Sequence, residues 1–113
     1  MWHHCECFIY LGVKGASCEA HYSATKAAII SLTQSLSKEY GPSNIRVNCV
    51  APGVIDTKMN AHLDNEEMTV LKEETALSRI GNPEEVAEAI FFLASDKSSF
   101  ITGQTLTCDG GFI

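Results

Sequence analysis

The sequence lacks what would send it to a membrane or to a nucleic acid. No apolar run in its 113 residues approaches the roughly 18 needed to span a bilayer. Basic residues are scarce: 8 Lys and Arg stand against 14 Asp and Glu, a formal charge of −6. That balance excludes a phosphate backbone or an anionic lipid surface as the natural partner. The short run Phe8-Ile9-Tyr10-Leu11 has no basic leader and no cleavage site, so no signal peptide is read there and the cytoplasm is the expected compartment. Paired cysteines are lacking too. Cys5, Cys7, Cys18, Cys49 and Cys108 are odd in number and irregular in spacing, which points to reduced thiols, not a disulfide framework. His3, His4, Cys5 and Cys7 cluster, but no second ligand pair follows them, so no resident metal is expected. Repeats and linkers are absent.

What is present is ordinary globular material, 45% hydrophobic and 19% charged, enough for one domain with a core. Gly12 to Ser17 reads as a turn-rich loop. A helix begins near Glu19 to Tyr22 and runs to about Tyr40. Its apolar face is wide (Ala24, Ala27, Ala28, Ile30, Leu32, Leu36), and Gly41-Pro42 ends it. Ile45 to Ala51 reads as a strand covered on both faces and stopped by Pro52-Gly53, with Cys49 as a small hydrophobe inside it. Val54 to Thr57 then lies at the strand's carboxyl end, where open α/β sheets bind ligands. Residues 58–81 are acidic, with two short helices expected around Asp64 to Glu74, and serve as a lid or a solvated flap. Asn82-Pro83-Glu84-Glu85 is a helix start: a cap, a proline at the first position and a capping-box acid. The helix Pro83 to Ala94 is expected to bury Val86, Ala87, Ile90, Phe91, Leu93 and Ala94. A last strand, Gln104 to Cys108, precedes the turn Asp109-Gly110-Gly111. Helix, strand, helix, strand in this order implies a parallel sheet with right-handed crossovers.

One spacing carries chemistry. Tyr22 and Lys26 stand four apart at the start of the first helix, so phenol and ammonium share a face. The cation favours the phenolate and lowers the tyrosine pKa. A phenol tuned this way can give or take a proton near neutral pH, as carbonyl reduction and alcohol oxidation require. Alone, the pair is a weak signal, and a solvated helix start is the commoner explanation.

Further segments join it: Ile45-Arg-Val-Asn-Cys-Val-Ala-Pro52-Gly53-Val-Ile55-Asp-Thr57, Arg79-Ile-Gly-Asn-Pro-Glu-Glu-Val-Ala87, Phe92-Leu-Ala-Ser-Asp96, Ile101-Thr-Gly-Gln and Asp109-Gly-Gly-Phe112. In this order, over residues 12–113, they resemble the C-terminal half of a short-chain dehydrogenase/reductase of the 3-oxoacyl-acyl-carrier-protein reductase type. The resemblance implies a partial Rossmann-like, doubly wound parallel sheet and an NAD- or NADP-dependent oxidoreductase acting on a ketone or secondary alcohol. It implies Tyr22 as general acid/base and Lys26 as the residue that holds the nicotinamide ribose and tunes the phenol. Ile55 would meet the carboxamide through its backbone, Thr57 would bond the carboxamide or pyrophosphate, and Pro52 and Gly53 would shape that loop. Arg46 and Asn48 sit inside the strand and are expected to be structural.

The departures are as informative. The family begins with a strand, a Gly-rich turn and a helix that bind the pyrophosphate, and this chain has no such fingerprint. The acidic residue for the adenosine ribose is missing. The family's catalytic serine would fall 13 residues before Tyr22, where Ile9 stands. Residues 1–11 resemble nothing in the family, so the expectation is an N-terminal stub followed by half of a domain at 12–113, a truncated product inactive by itself. The alternative is a non-catalytic remnant serving as an oligomerisation or binding module. In either case the expected partners are a small-molecule carbonyl or alcohol and further copies of the chain.

Overall fold

The structure, a computed structural model, describes residues 19–58, 61 and 63–112. The His3/His4/Cys5/Cys7 cluster, Ile9, Cys18 and the Gly12 to Ser17 loop lie outside them. The order of elements is helix α1 (Glu19–Tyr40), strand β1 (Cys49–Pro52), helix α2 (Asn65–Glu74), helix α3 (Pro83–Ala94) and strand β2 (Thr105–Cys108). Short 3-10 turns occupy Gly41–Ser43 and Asp96–Ser98. The two strands pair in parallel, with Cys49 opposite Thr105 and Pro52 opposite Cys108. No described helix is long and apolar enough to cross a membrane.

β1 is the centre of the fold, and all four of its residues are buried. Val50 packs with Ile55, Val86 and Leu93, and so faces α3. Its neighbour Cys49 lies against Thr33 of α1. Successive strand side chains point to opposite faces, so α1 and α3 cover the two sides of the sheet. This is the layering of an α/β fold.

α1 reaches the sheet through a stripe other than the expected alanine and leucine face. Thr33 is fully buried and Ser37 nearly so, whereas Ala24, Ala27 and Ala28 are exposed and Leu32 is 45% exposed. Each hydroxyl is satisfied within the helix, Thr33 Oγ1 donating to Ile29 O at 2.8 Å and Ser37 Oγ to Gln34 O at 2.7 Å, so burial leaves no polar group unmet. The helix also ends differently from the expected glycine cap. Asn44 takes the left-handed conformation (φ 61°), and its N–H donates to Gly41 O.

The expected strand from Ile45 is shorter because residues 45–48 spend their hydrogen bonds elsewhere. Val47 N–H donates to Thr102 Oγ1, and Val47 O accepts from Gly103 N–H. Asn48 bridges to Ile101 O and to the Gln104 N–H. The Arg46 guanidinium, 6% exposed, donates to Leu93 O, Ser95 O, Ile101 O and Ser98 Oγ at 2.9–3.3 Å. A buried cation thus closes the carboxyl end of α3, where the helix dipole is negative.

Between the strands, where two short helices are expected near Asp64, the described residues form one α-helix, α2. Its start is a complete capping box: Asp64 accepts from the Glu67 N–H, and Glu67 accepts from the Asp64 N–H. α3 runs over the predicted span but buries only Val86 and Leu93 fully. Phe91, expected inside, is 75% exposed, and Ala87 and Ala94 are exposed as well. The wide apolar face predicted for this helix is therefore partly uncovered.

Candidate functional site

The loop after β1 is fixed from two sides. Gly53 N–H donates to Cys108 O at 3.0 Å, and Ile55 forms a parallel bridge with Gly81. Gly81 N–H donates to Val54 O, and Asp56 N–H donates to Gly81 O, both at 2.9 Å. Gly53 is required by close approach, since a Cβ there would meet Asp109 Cβ at 2.6 Å and Asp109 Cα at 2.8 Å. Gly53→Ala is expected to displace this loop and to lower stability by about 1–3 kcal/mol, the usual cost of overpacking. Urea unfolding of the variant beside the parent chain measures it.

This anchoring brings Pro52, Ile55 and Thr57 together. They share an apolar cleft of about 230 Å³ with Pro83, Val86, Ala87 and Ile90 of α3. Those four α3 positions follow the i, i+3, i+4, i+7 spacing of one helix face, a signal in the sequence for a ligand wall that reads there only as core. The Thr57 Oγ1 is buried and has no hydrogen-bond partner among the described residues. A buried unpaired hydroxyl is costly. A polar group of a ligand lying in the cleft would satisfy it.

Lys26 lies on α1, exposed, and close enough to the sheet for its charge to act on the Cys49 thiol. Burial pushes that thiol up, against hydrogen bonds with Thr33 and Thr105 and the Lys26 charge. Cys108 is also raised, by burial and then by the Glu85 and Asp109 carboxylates. Neither is an activated thiolate. Tyr22 lies in α1 one turn before Lys26, and its side chain is outside the described set. The structure thus unites four of the six predicted positions, Pro52, Gly53, Ile55 and Thr57, on one loop. It sets Lys26 on the neighbouring helix.

Ile55 also borders a larger cavity of about 490 Å³, between the Ala76 to Gly81 segment and the turn Asp109 to Gly111. Here Arg79 binds Glu85 through both oxygens, at 2.7 and 2.8 Å. Glu85 accepts from the Asn82 N–H as well. The Arg79 hydrogen bonds, then that of Asn82, hold the Glu85 carboxyl at about 2. Because the folded pKa is depressed, the stabilisation is present above the ordinary carboxylate value and fades as pH falls toward about 2. The melting temperature of Glu85→Gln is therefore expected to lie below that of the parent chain near neutrality and to converge with it between about pH 4 and pH 2. A constant gap across that range would contradict the coupling.

Comparison with known proteins places this geometry. The family profile described as Enoyl-(Acyl carrier protein) reductase matches residues 8–113. The 3-oxoacyl-acyl-carrier-protein reductase of Chlamydia trachomatis is 50% identical over 101 residues, which are 89% of this chain and 41% of that protein. A short-chain dehydrogenase/reductase of Brucella melitensis superposes with a TM-score of 0.84 at 38% identity, over 96% of this chain and 45% of the other. A 3-oxoacyl-acyl-carrier-protein reductase of the same organism, solved with bound NAD, gives 0.74 at 44% identity, over 82% of this chain and 34% of the other. The chain spans about two fifths of the length of the curated relatives it matches. By sequence and by fold, it belongs to the short-chain dehydrogenase/reductase family.

Proposed function

We propose that residues 12–113 supply the acid–base and nicotinamide-facing side of an NAD- or NADP-dependent site that interconverts a ketone and a secondary alcohol. The observation that carries this reading is the buried, unpartnered Thr57 hydroxyl in an apolar cleft between the β1 loop and α3. Thr57 and the backbone of Ile55 would hold the carboxamide, with Pro52 and Gly53 setting the loop's path. The nicotinamide, when bound, supplies or accepts the hydride. Tyr22 donates its phenolic proton to the carbonyl oxygen in reduction and takes it back in oxidation. Lys26, one turn along, stabilises the phenolate and reaches the ribose. The net charge of −6 fits a cytoplasmic enzyme of small molecules better than one working on nucleic acid or an anionic membrane.

The chain's own sequence holds no Gly-rich pyrophosphate loop. Most of the cofactor's binding energy must then come from a further stretch of fold, in the same polypeptide or another. The 113-residue chain alone is expected to show no turnover of a ketone with NADH or NADPH. Fused behind the amino-terminal part of the C. trachomatis relative, it is expected to turn over. Saturable turnover by the chain alone, lost in Tyr22→Phe, would show that no further stretch is needed. A folded fusion that binds cofactor but never turns over would sink the catalytic reading.

A second reading, an oligomerisation module, is favoured by the exposed aromatic surface. Phe91 is 75% and Phe100 101% exposed, with Phe92 and Leu106 partly so. Such surface is usually covered. A dimer or larger species is expected in sedimentation at micromolar concentration, and a clean monomer would count against it.

A further inference from the structure

We infer that Gly81 is a positioning residue for the cofactor-facing loop: because it has no side chain, Ile55 can stand clear of the Thr57 cleft and leave room there for a planar ring bearing an amide. The inference rests on the oxidoreductase reading and adds a residue to its site.

Gly81 lies outside the loop, in the segment that joins α2 to α3. Yet its backbone holds the loop on both sides of Ile55. Gly81 N–H donates to Val54 O, and Gly81 O accepts from the Asp56 N–H, both at 2.9 Å. Gly81 is fixed in turn from α3. Glu85, in the first turn of that helix, accepts from the Asn82 N–H on one side of Gly81 and from the Arg79 guanidinium on the other. So α3 sets Gly81, and Gly81 sets Ile55.

Space, and not backbone freedom, requires the glycine. Its φ is not positive, unlike those of Gly103, Gly110 and Gly111. A Cβ at Gly81 would meet Ile55 Cδ1 at 2.7 Å, whereas the next atom, Val54 O, stands at 3.8 Å, an ordinary contact. Ile55 is 3% exposed and lines both the 230 Å³ cleft and the 490 Å³ cavity, while Gly81 lines only the cavity. Ile55 is thus the partition between the two, and an added Cβ presses on it from the cavity side. The partition then moves toward the cleft, where Val86 opposite is core. A ring seated in the cleft loses room. Its amide, which carries both donor and acceptor, loses its alignment with the Thr57 hydroxyl.

The test is a titration of the full 113-residue chain with nicotinamide, read by NMR at the Thr57 methyl group. The parent chain is expected to give a saturable shift. Gly81→Ala is expected to move the Thr57 resonance before any ligand is added and to weaken binding about fivefold or more, as overpacking of one methyl group implies. Ile55→Val removes the very atom that the new Cβ meets. The double variant Gly81→Ala/Ile55→Val conserves volume and is expected to return to within about twofold of the parent. Equal binding by parent and Gly81→Ala, with Ile55 turned into the larger cavity, overturns the inference. So does a double variant that keeps the parent's helical circular dichroism and stays weak. If Gly81→Ala alone does not fold, the double variant decides: fold and binding recovered together support the inference, and fold without binding overturns it. A parent chain with no saturable response refutes the nicotinamide reading and takes the inference with it. That failure is distinct, because the inference fails alone only when the parent binds.

Discussion

Replacing Arg46 with methionine is expected to cost about 1.5–3 kcal/mol of folding stability, the usual worth of hydrogen bonds made by a charged group. The guanidinium donates to three backbone carbonyls, Leu93 O, Ser95 O and Ile101 O, and to Ser98 Oγ. Methionine fills much of the volume but takes one donor from each acceptor, leaving Leu93 O and Ser95 O to Ser98 and Ile101 O to the Asn48 amide. It also removes the positive charge from the negative end of α3. Lysine keeps the charge, but a single ammonium cannot span the same fork of acceptors, so Arg46→Lys should recover only part of the loss. Urea unfolding with an unchanged slope would read the difference directly. A loss below about 1 kcal/mol for methionine would mean that Ser98 and Asn48 alone satisfy these carbonyls. Because α3 also walls the Thr57 cleft, the same substitution should loosen the site.

Tyr22→Phe, in the fused protein, is expected to lower kcat by about 10²–10⁴-fold, the usual worth of a positioned general acid. That is roughly 3–5 kcal/mol of barrier. KM should move little, because the phenol acts on the reacting oxygen more than on binding. A Tyr22→Phe enzyme with full kcat would remove the tyrosine from the chemistry and leave Lys26 as a binding residue only.

Much of the fold was legible because its punctuation is local. Gly41-Pro42, Pro52-Gly53 and Asn82-Pro83 mark ends and starts by backbone constraint, and α1 and α3 run where those signals put them. Burial was less legible, because periodicity says which residues share a face but not which face finds a partner. Hence Thr33 and Ser37 are buried although polar, and Phe91 is exposed although apolar. The role of Arg46 was half visible: its place inside a strand marked it as structural, but its acceptors lie 47 to 55 residues away. In the site, Pro52 to Thr57 could be named as one loop from the strand end alone. The α3 residues opposite them required the tertiary contact. Tyr22 and Lys26 were legible as a spacing, and their relation to the loop was not, since it depends on how α1 crosses β1.

The most direct test is cofactor affinity of the fused protein with Thr57 intact, as Thr57→Ser and as Thr57→Val, measured by isothermal titration with NAD and NADP. If the buried hydroxyl waits for the cofactor, serine should retain affinity and valine should weaken it about tenfold or more, within the ~1–3 kcal/mol of an unmet polar group. Valine should also raise the unfolding midpoint of the cofactor-free protein, since it deletes a hydroxyl that is buried without a partner among the described residues. Unchanged affinity for both cofactors in Thr57→Val would contradict the placement of the nicotinamide against this loop.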